Sequence, residues 1–177
     1  MSGYVRGPGV QHWHSIDTIN AGPVAPQQGA FSTSVAWATA NRAIFVPVIV
    51  RSPVVVRKLW FANTSTSATG NYDLGLYTPN GVALLRRGST AKTADDAEEV
   101  WDCADTFLVP GLYYLALVSS TTVDTFGCSL LSAPVPTAYG CLAEESALPL
   151  PATATFAISD TLTFVPTLGM LLTTVVS

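Results

Sequence analysis

The sequence predicts an all-β protein, an antiparallel β-sandwich that is jelly-roll-like and carries an extended N-terminal arm. Short runs of Val, Ile, Leu and aromatic residues alternate with turn signals such as Pro79-Asn80-Gly81 and Val109-Pro110-Gly111, which is typical of strands joined by turns. No segment has the apolar period of a convincing amphipathic helix. A chain of 177 residues can bury a full core without disulfides or metals. We therefore expect an arm over residues 1–30 and a single sandwich domain over residues 31–177.

The predicted arm is rich in glycine and proline, which interrupt any helix. A brief strand is expected around Trp13, for which two interpretations stay open. It is either an ordinary lead-in strand or part of an arm that docks on a neighbouring subunit through the indole ring. His12 and His14 would share one face of this strand, but the sequence places no further metal ligands beside them. We therefore predict neither a metal site nor a cofactor.

The strands of the domain are expected to begin near Phe31. They are recognised by their content of Val, Ile, Leu and aromatic residues between turn signals. The predicted strands are Ser34–Thr39, Ala43–Val50, Val54–Asn63, Asn71–Tyr77, Val82–Arg87, Leu112–Ser119, Thr125–Leu130, Ala154–Ser159 and Leu162–Val165. The proline-rich stretch 133–151 is predicted to be an extended loop.

The predicted strand Ala43–Val50 is apolar on both of its faces. A sandwich strand normally turns one face to solvent, so the outer face here is expected to meet another subunit or a covering segment. Pro47 cannot donate a hydrogen bond to a sheet, which predicts an edge or a bulge at that point. The candidate assembly contacts are Trp13, Ile44, Val46, Val48 and Ile49.

The composition is unusually poor in charge. Charged residues make up 11% of the sequence, against ~25% in typical soluble domains, whereas hydrophobic residues make up 49%. No uncharged apolar run reaches the ~18 residues of a membrane-spanning helix, so membrane insertion is not expected. The composition instead predicts that part of the surface is hidden in a homo-oligomer or a larger assembly.

Charge and cysteine content exclude further classes. The net charge is −4 and the only lysines are Lys58 and Lys92, so nucleic acid is not expected as a partner. The N-terminus lacks the apolar core of a secretory leader, which predicts folding in the cytoplasm. Cys103, Cys128 and Cys141 match neither a disulfide framework nor a zinc site, and the last two are expected to be buried thiols.

No catalytic motif is recognisable. The segment 95–105 holds half of the acidic residues but no glycine of a calcium loop, and its spacing does not indicate paired catalytic carboxylates. We predict a solvated loop there, with weak calcium binding as the next alternative and catalysis as the last. Trp101 lies among these acids and is the candidate glycan contact. Asn63-Thr64-Ser65 matches a glycosylation acceptor that is expected to be unused in a cytoplasmic chain.

Part of the chain resembles small virion structural proteins of tailed bacteriophages, of the tail-fibre, minor tail, head-fibre or capsid-decoration type. The matching pattern is an aromatic strand, Leu59-Trp60-Phe61-Ala62-Asn63, then a Ser/Thr-rich loop that leads into Tyr72-Asp73-Leu74-Gly75-Leu76-Tyr77. Gly88-Ser89-Thr90 and the later strand Leu108–Leu117 continue it. These motifs are structural, so the resemblance transfers no functional residues.

The resemblance implies a non-enzymatic virion protein made in the host cytoplasm. It implies a homo-oligomer, with a trimer as the expected number, and contacts with other virion proteins. Sugar-binding sandwich domains share the same strand pattern. The alternative function is therefore a carbohydrate-binding module that recognises a host surface glycan.

Overall fold

A computed structural model of the chain describes residues 10–14, 33–65, 69–93, 98–133 and 135–174. The regular secondary structure of these residues is almost entirely β-strand. The strands are β1 (Val10–His14), β2 (Thr33–Ala36), β3 (Ala43–Val50), β4 (Val54–Ala62), β5 (Asn71–Tyr77), β6 (Ala83–Arg86), β7 (Thr90–Ala91), β8 (Glu98–Leu108), β9 (Gly111–Ser119), β10 (Thr125–Leu130), β11 (Leu142–Glu144), β12 (Phe164–Pro166) and β13 (Leu168–Thr174). A four-residue helix, α1, spans Val135–Ala138. In the described part of the chain, no helix has the length and apolarity that a membrane crossing requires.

The strands form antiparallel sheets that pack face to face. A four-stranded sheet has the order β1-β13-β4-β8, and a three-stranded sheet has the order β12-β10-β2. The two meet at a bridge between Asn63 and Phe126. A six-stranded sheet, β11-β3-β9-β5-β6 with β7 also on β5, packs against them. The predicted all-β antiparallel sandwich is confirmed.

Aromatic side chains fill the centre of the sandwich. Phe61 packs edge-on against Tyr72 with ring centroids 4.7 Å apart, and Phe126 packs edge-on against Trp37 at 4.9 Å. The Trp37 indole N–H donates to the carbonyl of Arg42 at 2.9 Å, so the ring is buried without losing its hydrogen bond. Removing one such ring typically costs about 3 to 5 kcal/mol, so these aromatic residues contribute strongly to the packing between the two layers.

The outer face of the six-stranded sheet is covered by residues 145–157, which we call the covering segment. Its Phe156 ring lies 4.9 Å from the ring of Phe45 and 4.9 Å from that of Tyr114. The Tyr77 hydroxyl donates to the carbonyl of Pro151 at 2.7 Å. The outer face of β3 was expected to meet either another subunit or a covering segment. Around Phe45 it is covered by a segment of the same chain. Consequently β5 is buried from residue 72 to residue 77 on both faces.

Pro47 lies where the sheet loses a strand. The short β11 pairs with β3 only up to Phe45, whereas β9 pairs with β3 along its whole length. Pro47 is thus beyond the end of β11 and opposite Tyr114 of β9. The missing proline N–H costs nothing on the side that has no partner strand. The expected edge position of Pro47 agrees with this register.

Three predictions of local structure were wrong. The stretch 133–151 is not simply an extended loop, because it contains α1 and β11. The segment 95–105 is not a solvated loop from Glu98 onward, because β8 begins there and pairs with β4. The predicted strand Ala154–Ser159 is not one, although Ala157 makes an isolated bridge to Ala143. The predicted strand Leu162–Val165 overlaps β12, and β13 follows it as a strand that was not predicted.

Five residues of the predicted N-terminal arm form β1. This strand pairs antiparallel with β13 of the same chain, with Trp13 opposite Met170. The pairing makes β1 an edge strand of the four-stranded sheet. The remaining arm positions, 1–9 and 15–30, lie outside the described residues.

Candidate functional site

Three of the predicted assembly contacts are used inside the protomer. The side chains of Ile44, Val46 and Val48 are 1%, 0% and 0% exposed and belong to the core between the sheets. Alternation along β3 turns these three inward, so they are removed from the set of candidate assembly contacts. Ile49 points the other way and is 52% exposed. Trp13 lies in β1, where its backbone is paired with that of Met170 in β13.

Exposed apolar side chains gather at the end of the sandwich where β8 turns into β9. Ile49 is paired with Leu112 of β9, which is 38% exposed. Val109, in the turn itself, is 55% exposed, and Phe107 at the end of β8 is 57% exposed. We call Ile49, Phe107, Val109 and Leu112 the apolar end. Leu108 and Tyr113 point into the core, so Phe107 lies on the outer face of the four-stranded sheet, whereas Leu112 and Ile49 lie on the outer face of the six-stranded sheet. The apolar end therefore offers exposed apolar side chains on both sides of the turn.

The turn at the apolar end is fixed by local sequence. Pro110 presets one backbone angle, and Gly111 starts the next strand without a side chain. The Tyr113 hydroxyl donates to the carbonyl of Val109 at 3.0 Å, which holds the turn over its own strand. The apolar end is therefore presented on an ordered connection between the two layers of the sandwich.

The acidic residues of β8 lie across from the basic residues of β4. The Arg57 guanidinium lies 3.4 Å from the Asp105 carboxylate, and the Lys58 ammonium lies 3.9 Å from that of Asp102. Both pairs are largely solvent-exposed, so each contributes little to stability. Asp102 and Asp105 thus pair with basic side chains of the neighbouring strand. Among the described residues, no group of three or more His, Cys, Asp or Glu could hold a metal ion.

Trp101, the candidate glycan contact, points toward the core. It is opposite Leu59 in the sheet, and its ring is partly buried against the central hydrophobic cluster. A sugar platform needs an open aromatic face. The exposed residue beside it is Val100, at 46%, on the other face of the strand.

At the opposite end of the sandwich the structure buries a group of polar and charged residues, Asn63, Ser65, Lys92, Glu99 and Asp124, which we call the buried polar cluster. The Lys92 ammonium donates to the Ser65 hydroxyl and to the carbonyl of Thr125, both at 2.9 Å. It also lies 4.0 Å from the centre of the Phe126 ring. Burial lowers the pKa of Lys92 to about 8, although the carboxylates of Asp124 and Glu99 act in the opposite direction.

The two carboxylates of the buried polar cluster hold loop backbone. One Glu99 oxygen accepts from the Thr93 N–H at 2.6 Å and from the Asn63 side-chain amide at 3.2 Å. Asp124 accepts from the N–H groups of Thr69 and Gly70 at 3.2 and 3.1 Å. Three connections, those after β4, β7 and β9, thus meet at one end of the sandwich around buried charge.

Asn63 is fully engaged in this cluster. Its amide nitrogen also donates to the carbonyl of Thr93 at 3.0 Å, and its oxygen accepts from the Ser65 N–H at 3.0 Å. With 2% of its surface exposed, the side chain is inaccessible in the folded protein. The asparagine of the glycosylation acceptor pattern is therefore a buried, hydrogen-bonded residue in the folded protein.

A second hydrogen-bonded chain joins the cluster. The Tyr72 hydroxyl accepts a hydrogen bond from the Arg87 guanidinium, and the negative charge of Glu99 acts on the same hydroxyl. Burial is the main cause that raises the pKa of Tyr72. No residue pattern pointed to Lys92, Glu99 or Tyr72 as site residues. A possible signal was the lysine itself, one of two in a chain in which charge is scarce.

The side chains of all three cysteines, Cys103, Cys128 and Cys141, are buried. Burial raises the pKa of Cys103 to about 11 and the pKa of Cys128 and of Cys141 to about 12. A thiol that stays protonated is a poor nucleophile and a poor metal ligand. The prediction of buried thiols at Cys128 and Cys141 is confirmed.

Comparison with known protein families, with curated proteins and with solved structures finds no match for this chain.

Proposed function

We propose that this protein is a non-enzymatic structural component of a tailed-bacteriophage particle, acting through association with copies of itself and with other virion proteins. The observation that carries the proposal is the apolar end. Ile49, Phe107, Val109 and Leu112 expose between 38% and 57% of their surface around one ordered turn. In a chain with 11% charged residues, exposed apolar side chains of this size are stabilised when another protein covers them and removes them from water.

The assembly role is supported by what the rest of the surface does. The outer face of the six-stranded sheet is closed by the covering segment, where Phe45 is fully buried. Ile49 lies on the same face of the same strand but is 52% exposed. The outer face is therefore covered at Phe45 and open at Ile49. The resemblance of the strand pattern to small phage virion proteins supports the setting, and a trimer is the oligomer expected from it.

The carbohydrate-binding alternative has less support. It relied on Trp101, whose ring is packed against the core. A glycan-binding role would need another aromatic surface, and the exposed Tyr139, at 47%, is followed by Gly140 in the turn after α1. No second aromatic ring is placed beside it among the described ring pairs.

The proposal is tested on purified particles of the phage whose genome encodes this sequence. The protein is expected to band with intact particles in a density gradient and to be identified there by peptide mass spectrometry. A soluble fraction that contains all of the protein, with none in the particles, would overturn the proposal. Specific binding of the isolated protein to a glycan array would favour the carbohydrate-binding alternative instead.

A further inference from the structure

The buried polar cluster encloses a primary amine and a carboxamide together. Lys92 is 6% exposed, Asn63 is 2% exposed and Glu99 is 8% exposed. An amine that is shielded to this degree can react only with groups that are buried beside it. The chemistry open to Lys92 is therefore decided by its neighbours within the cluster.

The amine and the carboxamide are held by the same residue. The Lys92 nitrogen donates to the Ser65 hydroxyl at 2.9 Å, and the Ser65 N–H donates to the Asn63 side-chain oxygen at 3.0 Å. On its other side, the Asn63 amide nitrogen donates to the carbonyl of Thr93, the residue that follows Lys92. Both reactive groups are thus hydrogen-bonded to Ser65, and Asn63 is also bonded to the residue that follows Lys92.

The surroundings favour the nucleophilic form of the amine. The Lys92 nitrogen lies 4.0 Å from the centre of the Phe126 ring, which packs in turn on Trp37 and Phe61. Burial lowers the pKa of Lys92 to about 8, although the cation–π contact with Phe126 favours the ammonium form. About a tenth of the lysine is then a neutral amine at pH 7, and a neutral amine is the form that attacks a carbonyl carbon.

Glu99 is placed to transfer the proton that such an attack releases. Its oxygen lies 3.2 Å from the Asn63 amide nitrogen, the atom that would leave. A carboxylate in that position can take a proton from the attacking amine and give it to the leaving nitrogen. The backbone N–H and the hydroxyl of Thr93 donate to the same oxygen at 2.6 and 2.9 Å, which fixes the carboxylate.

We infer that Lys92 and Asn63 condense within the folded chain to an intramolecular amide bond, with Glu99 as the proton-transfer group. The bond between the lysine nitrogen and the side-chain carbonyl carbon forms, and the bond between that carbon and the amide nitrogen breaks. The proton that the lysine loses passes through Glu99 to the departing nitrogen, which leaves as ammonia. The step needs no oxidant, no cofactor and no second substrate. In the unlinked state the amine also donates to Thr125, so it must rotate away from that carbonyl to reach the carbon.

Such a bond would join the two layers of the sandwich covalently. Asn63 follows β4 of the four-stranded sheet, whereas Lys92 follows β7 of the six-stranded sheet. Asp124 is the less favourable electrophile, because its oxygens are held by the N–H groups of Thr69 and Gly70, and no acid among the described residues is hydrogen-bonded to it. Condensation with Asp124 would also release water instead of ammonia, which makes the two products distinguishable.

The inference is independent of the proposed function, and the intact mass of the denatured full-length protein tests it. The expected mass is that of the sequence less one ammonia. A mass equal to the full sequence would overturn the inference, and so would the loss of water, which would indicate Asp124. Glu99→Gln is expected to keep the full mass of its own sequence. Loss of ammonia from this variant as rapid as from the wild type would remove Glu99 from the reaction.

Tryptic digestion locates the bond. Asn80-Gly81 could also lose ammonia by closing an imide on its own backbone, so the mass alone is not sufficient. Lys92 is the last basic residue of the chain. A linked protein is therefore expected to resist cleavage after Lys92 and to retain residues 59–86 joined to residues 88–177 under denaturing conditions. Separate fragments 59–86 and 93–177 would contradict the bond even if ammonia had been lost.

Discussion

The backbone N–H of Leu150 donates a 2.9 Å hydrogen bond to the carboxylate of Asp73, which is completely buried in β5. The second carboxylate oxygen accepts from the N–H of Gly88 at 2.9 Å. Desolvation raises the pKa of Asp73, while these backbone donors act to lower it. One acidic side chain therefore ties the covering segment and the connection after β6 to the six-stranded sheet.

Replacing Asp73 with asparagine should destabilise the protein by about 2 to 3 kcal/mol, because the amide nitrogen would face a backbone N–H that then has no acceptor. The measurement is the urea dependence of unfolding, compared at equal m-value. Asp105→Asn is the matched control, since its carboxylate is exposed and its ion pair with Arg57 is open to water. A control effect as large as that of Asp73→Asn would contradict the role given to burial.

Gly81 and Gly88 separate backbone strain from steric overlap. Both have positive φ, 79° and 84°, but a Cβ on Gly81 would lie 2.5 Å from the carbonyl oxygen of Ala154, whereas a Cβ on Gly88 would meet nothing within 4 Å. We expect Gly88→Ala to cost about 1 kcal/mol from the φ value alone. Gly81→Ala should cost about 2 kcal/mol more, since the covering segment must also move away. Equal losses in thermal unfolding would show that the contact with Ala154 does not restrain the turn.

The buried thiols predict the alkaline behaviour of the fold. Their pKa values are raised from 9.0 to about 11 for Cys103 and to about 12 for Cys128 and Cys141. A raised pKa of an acidic group means that the folded state keeps protons that the unfolded state has lost. The stabilising contribution is complete below pH 9 and is lost as pH rises from there through the folded pKa values.

Each thiol should contribute a slope of about 1.4 kcal/mol per pH unit in that range. The measurement is the free energy of unfolding between pH 8 and pH 11, read from denaturant curves. Cys128→Ala should reduce this slope by about 1.4 kcal/mol per pH unit, the contribution of one thiol, independently of its effect on the free energy of unfolding at lower pH. A slope that stays unchanged in this variant would show that Cys128 is not a protonated buried thiol.

Local patterns predicted the central strands well. The bounds predicted for Ala43–Val50, Asn71–Tyr77 and Thr125–Leu130 coincide with β3, β5 and β10. These strands are dense in apolar residues and are bounded by turns, so the strand preference is strong on its own. The two apolar faces of β3 also indicated correctly that something covers the outside, although the sequence left open whether it was a neighbour or the chain itself.

Elements that depend on a partner strand were not predictable in this way. The acids of β8 resemble a solvated loop until Arg57 and Lys58 of β4 are placed across from Asp105 and Asp102. The run Leu168–Thr174 follows Pro166 and contains Gly169, which weakened the strand pattern of β13. Its position between β1 and β4 is a long-range pairing that local sequence does not encode.

The candidate sites show the same division. Ile49 could be selected because it belongs to an apolar strand, but the inward direction of Ile44, Val46 and Val48 required the register of β3. Lys92 lies between Ala91 and Thr93, a context that predicts an exposed lysine. Its burial results from three connections that converge at one end of the sandwich, which is a property of the folded chain.

The most direct test of the assembly role is the molar mass of the full-length protein in solution, measured by light scattering over micromolar concentrations for a matched pair of variants. Ile49 at the apolar end is 52% exposed, and Ile158, outside it, is 73% exposed, so glutamate at either position should leave the protomer folded. We predict that the wild type and Ile158→Glu are oligomeric. For Ile49→Glu we predict a dissociation constant of the oligomer that is about tenfold higher or more than that of the wild type, because an unpaired charge would be buried in the contact. A wild type that remains monomeric, or an Ile49→Glu variant that associates like Ile158→Glu, would contradict association through the apolar end.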